Sequence, residues 1–311
     1  IVQAARHLHA NLEEGDSLGH IGTNEFVLAL PGSNSDGALD RVERIAHMLG
    51  SGVTLDNTNI ALQVDAGIAE FPRHGDHAAD LLRYASIARA DAEARNDTVI
   101  IYKAGREDEF VRRLRVVNDL RAALRHNEIQ VFYQPKVRLD DGTVCGVEAL
   151  VRWHHPELGF LPPDEFIPAA EQAGTIVHLT RYVLTAAVQQ CRYWMDFGCE
   201  LGVSVNLSAR DLTDEYLPHH VLQILEDNEI RPGMLTLEVT ESSIMENVSQ
   251  AVLVLECLRD IGVRISIDDF GTGHSSLAQL KNIPVHELKV DKSFVMTICD
   301  DVQNEAIVRA T

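Results

Sequence analysis

Basic residues are scarce in this 311-residue sequence: 27 lysines and arginines face 47 aspartates and glutamates, giving a formal net charge of −20 at pH 7. Proteins that grip nucleic-acid polymers neutralise phosphates with clustered cations, so that function is excluded. A small anionic nucleotide is not, because a few local cations or a metal can hold it. Cysteine is also sparse, and Cys145, Cys191, Cys199, Cys257 and Cys299 show no CxxC pair, zinc spacing or secretory framework. They read as small buried hydrophobes in a protein of a reducing compartment. No apolar run approaches the ~20 residues of a membrane span, and residue 1 opens no signal peptide. The expectation is a cytoplasmic protein with no membrane segment in this chain. Both ends read as cut from something longer, so an anchor elsewhere stays compatible.

What the sequence does have is length for two domains. Residues 1–14 carry apolar positions at helical spacing, and Leu18–Pro31 reads as two short strands around a turn at Gly22-Thr23-Asn24. A helix over 36–49, a strand over 60–71, a helix over 78–95 and a strand over 98–102 complete an α/β sandwich. A charged helix follows over 107–126, with Phe110, Leu114, Val117, Leu120 and Leu124 along one face. It joins the domains or caps the second one. From Glu128 onward apolar runs at 129–137, 144–153, 201–207, 235–240, 263–267 and 288–290 are mostly separated by helical segments, such as 176–197 and 248–261. Six such strands with polar residues at their C-terminal ends predict a β/α barrel whose site is built at that face. A barrel closes with about eight strands, so the sequence stops after the sixth.

The pattern centres on Arg264–Leu277, where an apolar strand ends in Asp268-Asp269 and a glycine-rich loop. Two ionised carboxylates about 4 Å apart repel by roughly 4 kcal/mol at an effective dielectric near 20, so this pair needs protonation, outward splay or cations. An acidic cap or turn is the plainer alternative. Other polar residues gather at neighbouring strand ends: Glu148, Asn206, Glu238, Glu241, Lys289 and Asp291. Alternation puts Glu148, Leu150 and Arg152 on one face. Taken singly, Arg152 could pair a carboxylate, Asn206 could tie a loop and Lys289 could neutralise buried acid. Taken together, hard oxygen ligands from four strand ends match Mg²⁺ or Mn²⁺. The pair His154-His155 reads as part of a solvated loop, because adjacent strand residues point to opposite faces.

Two resemblances follow from these motifs. Residues 1–104 resemble the back half of a GGDEF domain, the diguanylate cyclase family, on Gly22-Thr-Asn-Glu-Phe26 and the strand after it. The departures are Thr23 for a glycine, Asn24 for a carboxylate, Glu93 near an expected lysine, and Glu13-Glu-Gly-Asp16 in place of an RxxD pattern. They imply a domain without cyclase activity, left with GTP sensing or dimerisation, and a homodimer is the expected assembly. After a connecting helix at 105–126, residues 127–311 resemble an EAL domain, the family of cyclic di-GMP phosphodiesterases. The motifs are Tyr-Gln-Pro-Lys136, Glu-Ala-Leu-Val-Arg152, Asn206-Leu-Ser, Glu238-Val-Thr-Glu241, Asp-Asp-Phe-Gly-Thr-Gly273 and Lys289-Val-Asp291. The resemblance implies that Glu148, Asn206, Glu238 and Asp268 hold one metal and that Asp269 serves a second. It implies that Lys289 positions the attacking water and that Glu241 steadies the loop 271–276. Gln134, Leu150, Arg152, Ser208 and Asp291 match substrate-contacting positions, and the product would be linear pGpG. A further glutamate on the seventh strand and a glutamine near the eighth are expected outside this sequence. A cyclic di-GMP receptor that binds without cleaving is the competing expectation.

Overall fold

The amphipathic segments before residue 104 fold as small helix-and-strand units. The computed structural model describes residues 1–22, 24–55, 58–95, 97–271, 283–298 and 301–310. They form two compact units that divide between residues 115 and 116. The first contains α1 (Val2–Ala10), β1 (Ser17–His20), β2 (Phe26–Ala29), α2 (Ser35–Gly50), β3 (Val53–Leu55), β4 (Thr58–Ile60), β5 (Ala66–Ile68), α3 (Ala78–Arg95) and β6 (Val99–Ile101). β1 and β2 make the expected hairpin, in register from Ser17↔Ala29 to His20↔Phe26, and Thr23 lies outside the described residues. Asn34 caps α2 by accepting the Gly37 amide at 2.9 Å, and Ala38, Val42, Ile45 and Leu49 bury one helical face.

The single strand expected over 60–71 is two strands, β4 and β5. Between them the Leu62 amide donates to the Leu49 carbonyl at the end of α2 (3.1 Å), so the backbone there satisfies a helix terminus instead of a ladder. β5 pairs in parallel with β6, and α3 crosses β5 very closely. A Cβ at Gly67 would stand 2.0 Å from the Ala85 carbonyl oxygen and 2.3 Å from the Arg89 nitrogen, both backbone atoms that cannot swing away. Gly67→Ala is therefore expected to destabilise this unit by on the order of 1–3 kcal/mol. A lower thermal midpoint by circular dichroism checks it.

The dividing point lies inside α4 (Glu107–Arg125). Its Val116, Leu120 and Ala123 are buried in the core of the second unit, whereas Leu114, expected on the buried face, is exposed. There follow β7 (Ile129–Val137), β8 (Val144–His155), β9 (Gly159–Leu161), α5 (Pro163–Gln172), α6 (Ile176–Asp196), β10 (Gly202–Leu207), α7 (Leu217–Asp227), β11 (Leu235–Thr240), α8 (Glu241–Glu246), α9 (Val248–Ile261), β12 (Arg264–Phe270), β13 (Glu287–Val290), α10 (Lys292–Met296) and α11 (Val302–Ala310). All six expected strands are present. They lie in the order β13-β12-β11-β10-β8-β7, with β9 paired to β8. β7 and β8 are joined without a helix and pair antiparallel, β9 pairs antiparallel with β8, and the remaining pairings are parallel.

Alternation sorts the sheet's two faces. Val203, Val205, Leu207, Leu235, Leu237 and Val239 enter the main apolar core, which leaves Ser204, Asn206, Thr236 and Glu238 to the other face. That face is concave. Six strands laid flat at about 4.8 Å spacing would separate β7 from β13 by roughly 24 Å. Yet the Lys136 ammonium on β7 reaches Glu287 on β13 at 3.1 Å. The sheet therefore curls as a partial barrel, and its polar side chains converge.

Two expectations are corrected. His154-His155 ends strand β8 and is no loop: His154 is exposed, and His155 is buried because its Nδ1 accepts the Glu157 and Leu158 amides while Nε2 contacts Asp119 at 3.1 Å. Among the described cysteines only Cys191 is buried. Cys145 opens a strand, Cys199 sits in a turn and Cys257 lies on the outer side of α9 four residues after exposed Leu253; Cys299 is outside the described residues.

Candidate metal centre

The concave face gathers carboxylates because strand register places them on a rising diagonal. Gln134 and Ser204 share the row of Glu148, Asn206 is level with Glu238, and Thr240 is level with Asp268. Each step climbs two residues, as tilted barrel strands require. As a result one oxygen each from Glu148, Glu238 and Asp268 lie within 4.8 Å of one another. Among the described residues no other acidic, histidine or cysteine trio is so close. Asn206 joins them by donating its amide to Glu148 Oε1 at 2.9 Å.

Two lysines meet this cluster. The Lys289 ammonium donates to Glu148 (3.2 Å), Glu238 (2.6 Å) and Asp268 (2.6 Å). Lys136 donates to the other oxygen of Glu238 (2.7 Å), to Ser204 (2.7 Å) and to Glu287 (3.1 Å). Glu238 has 0 % exposure, so burial alone would push its carboxyl up; hydrogen bonds from Lys136 and Lys289 reverse this and hold it below the usual carboxylate range. Burial pulls the Lys289 ammonium down, but Asp268 and Glu238 outweigh that and hold it above an ordinary lysine. Four carboxylates thus meet two ammoniums. One divalent cation would cancel the deficit, and the all-oxygen donor set is the kind that hard cations take.

The adjacent aspartates owe their arrangement to a bulge. Ile267 pairs with Leu288 and Phe270 with Val290, so Asp268 and Asp269 together oppose Lys289 alone. Asp269 takes a left-handed φ of 53°, which aspartate tolerates better than most residues. The two carboxyls part company there: Asp268 enters the trio, and Asp269 lies beside Asp291. Burial, then the neighbouring Asp268 and Asp291, push the Asp269 carboxyl up. Asp291 caps α10, accepting the Ser293 amide at 2.8 Å and its hydroxyl.

The remaining expected residues surround this cluster unevenly. Glu241 is buried at the start of α8 and accepts the Gly271 amide at 3.4 Å; residues 272–276 of the loop it is expected to steady lie outside the described residues. Gln134 is exposed opposite Glu148, and Leu150 is level with Phe132. The Arg152 guanidinium stands 6.0 Å from the Phe132 ring centre and donates to the Val151 carbonyl. Ser208 is turned inward, its hydroxyl and amide both donating to the buried Asp211. Sequence reasoning quoted Lys136 within the motif Tyr-Gln-Pro-Lys136 but gave it no role, and it singled out neither Glu287 nor Phe132. A period-two reading of β7 would have found Phe132 and Lys136, since they share a face with Gln134.

This is an acid cluster, positively braced, on the concave face of parallel strands. The EAL domain family matches residues 117–311, and the diguanylate cyclase GGDEF domain family matches residues 1–98. The chain belongs to the EAL family. It is 34 % identical over 313 residues to the bifunctional diguanylate cyclase/cyclic di-GMP phosphodiesterase MucR of Pseudomonas aeruginosa, covering 100 % of this chain and 46 % of that protein. It is 34 % identical over 301 residues to the cyclic di-GMP phosphodiesterase PdeR of Escherichia coli, covering 96 % and 45 %. The chain thus spans less than half the length of these curated relatives. Among solved structures, the PaMucR phosphodiesterase in complex with c-di-GMP matches with a TM-score of 0.60 at 43 % identity, over 63 % of this chain and 80 % of that one. In this EAL chain no helix among the described residues is long and apolar enough to cross a membrane.

Proposed function

We propose that residues 127–311 form a unit that binds cyclic di-GMP and hydrolyses one of its phosphodiesters to linear pGpG, using Mg²⁺ or Mn²⁺. The single observation that carries the reading is the trio Glu148, Glu238 and Asp268 within 4.8 Å, braced by Lys289. The relatives named as cyclic di-GMP phosphodiesterases support the substrate. Glu148, Asn206, Glu238 and Asp268 would hold one ion, and Asp269 a second. Bound there, divalent cations supply Lewis acidity, easing ionisation of water and stabilising charge on the attacked phosphate. The side chains do the rest. Arg152 offers a guanidinium to phosphate, and Gln134, Leu150, Ser208 and Asp291 shape the substrate seat. Lys289 carries a positive charge where the attacking water must sit and orients it through its ammonium protons. Water adds to phosphorus, the ribose 3′ oxygen departs and takes up a proton, and pGpG results. Glu241, through Gly271, fixes where the following loop begins.

In residues 1–104 the acid at Glu25 faces Arg89 (3.5 Å), which also pairs Glu93 (3.2 Å). With Asn24 in place of a carboxylate, this supports a unit that lacks cyclase activity and senses GTP or dimerises, joined by residues 105–126 in a cytoplasmic homodimer. Calorimetry checks the sensing role: heat on GTP addition is expected, and no heat leaves only the assembly role. The phosphodiesterase reading is tested by chromatography of the full-length protein with cyclic di-GMP. Formation of pGpG with Mn²⁺, and none with EDTA, is expected. Binding without turnover in either condition would make the protein a receptor.

A further inference from the structure

Lys136 reaches Glu238, the fully buried member of the trio on β11, although it stands on β7, three strands away at the end of the sheet order. Its ammonium crosses from β7 to β11 over a row that carries no side chain on the two intervening strands: Lys136 is level with Gly146, and Gly146 with Gly202. An ammonium has three protons to donate. All three are used, on Ser204, Glu238 and Glu287. Lys136 is thus anchored at both ends of its interaction, whereas Lys289 touches the three carboxylates from the ligand side. The other polar group near Glu238 does not help it: Ser266 is level with both Glu238 and Glu287 and fully buried, and its hydroxyl makes no hydrogen bond among the described residues.

We propose that Lys136 is a positioning residue for the metal centre: by holding Glu238 Oε1 it leaves Oε2 as the oxygen presented to Glu148 and Asp268, and it supplies the counter-charge that keeps a fully buried carboxylate in that pose. This rests on the metal-dependent reading above. It gives Lys136 no part in bond breaking, because its ammonium holds Glu238 Oε1 and touches neither Glu148 nor Asp268, whereas Lys289 sits on Oε2 among the three. It also assigns Ser204 and Glu287 a role, as the anchors that set where the ammonium stands.

The test is Mn²⁺ titration by calorimetry on the full-length wild type, Lys136→Met, and the double variant Ser204→Ala/Glu287→Gln, each confirmed as folded by circular dichroism at the titration temperature. Lys136→Met is expected to weaken Mn²⁺ binding by about 10–100-fold, the range for losing a group that orients a metal ligand. The Mn²⁺ needed for half-maximal pGpG formation should rise in step, while KM for cyclic di-GMP at saturating Mn²⁺ stays within about twofold, since Lys136 touches no substrate position. The double variant keeps the ammonium but removes the Ser204 hydroxyl and the charge of Glu287, and a weakening of several-fold is expected. Unchanged or tighter Mn²⁺ binding in Lys136→Met, with only a lower melting temperature, would overturn the proposal. If that variant does not fold, unchanged Mn²⁺ affinity in the double variant overturns it instead. A wild type that binds no Mn²⁺ removes the metal reading and this role together. A wild type that binds and turns over beside an equally good Lys136→Met removes only the role of Lys136.

Discussion

Asp268→Ala is expected to reduce pGpG formation by roughly 10²–10³-fold while leaving the fold intact, the loss typical when one preorganised charge-stabilising group is removed. That corresponds to about 3–4 kcal/mol of transition-state stabilisation. The side chain lies at a strand end on a bulge and is 22 % exposed, so its removal leaves no buried cavity of consequence. What it does remove is one corner of the oxygen trio and one of the three acceptors that place the Lys289 ammonium. The fall should appear mainly in kcat, with KM for cyclic di-GMP changed far less, because the substrate seat proposed at Gln134 and Arg152 is untouched. Steady-state kinetics beside a thermal melt checks both parts. A drop in melting temperature comparable to the loss of rate would instead assign Asp268 a structural role.

Glu238→Leu should damage both stability and activity. Glu238 is the one member of the trio with no exposure, and it accepts from two ammoniums at 2.7 Å and 2.6 Å. Removing it takes from Lys136 and Lys289 the buried acceptor they share, leaving Ser204 and Glu287 to the first and Glu148 and Asp268 to the second. Breaking a buried ion pair by deleting one partner costs about 3–5 kcal/mol. The lower end is expected here, since the lysine side chains keep about a quarter of their exposure and so some access to water. Urea denaturation of the second unit measures it, and no turnover should remain. Lys136→Met/Glu238→Leu should be less unstable than Glu238→Leu alone, because one stranded charge has gone with its partner.

The hairpin of β1 and β2 and six of the seven strands of the main sheet, all but β9, were legible in the sequence because their signals are local. Alternating apolar residues and turn residues at the ends specify a strand without knowledge of its neighbours. The gathering of Glu148, Asn206, Glu238, Asp268 and Lys289 was legible for a related reason: polar residues at the ends of apolar runs have no local use. What stayed hidden depends on contacts between distant segments. The break between β4 and β5 arises from Leu62 bonding the end of α2, a link across thirteen residues. His155 is buried because the turn after it wraps its amides onto the ring. The role of Lys136 was hidden because it depends on two glycines in neighbouring strands and on a curl that brings β7 to β13. The Asp268-Asp269 pair lies between these cases. Sequence showed that the pair needed a solution, and the bulge opposite Lys289 shows what it is: the two carboxyls face different partners.

The most direct test of the metal centre is anomalous scattering at the manganese edge from crystals of the protein soaked in Mn²⁺. A peak within bonding distance of Glu148, Glu238 and Asp268, with the Lys289 ammonium displaced from its contacts with the three, is expected. Density at full Mn²⁺ load showing Lys289 still bonded to all three carboxylates and no anomalous peak among them would contradict it.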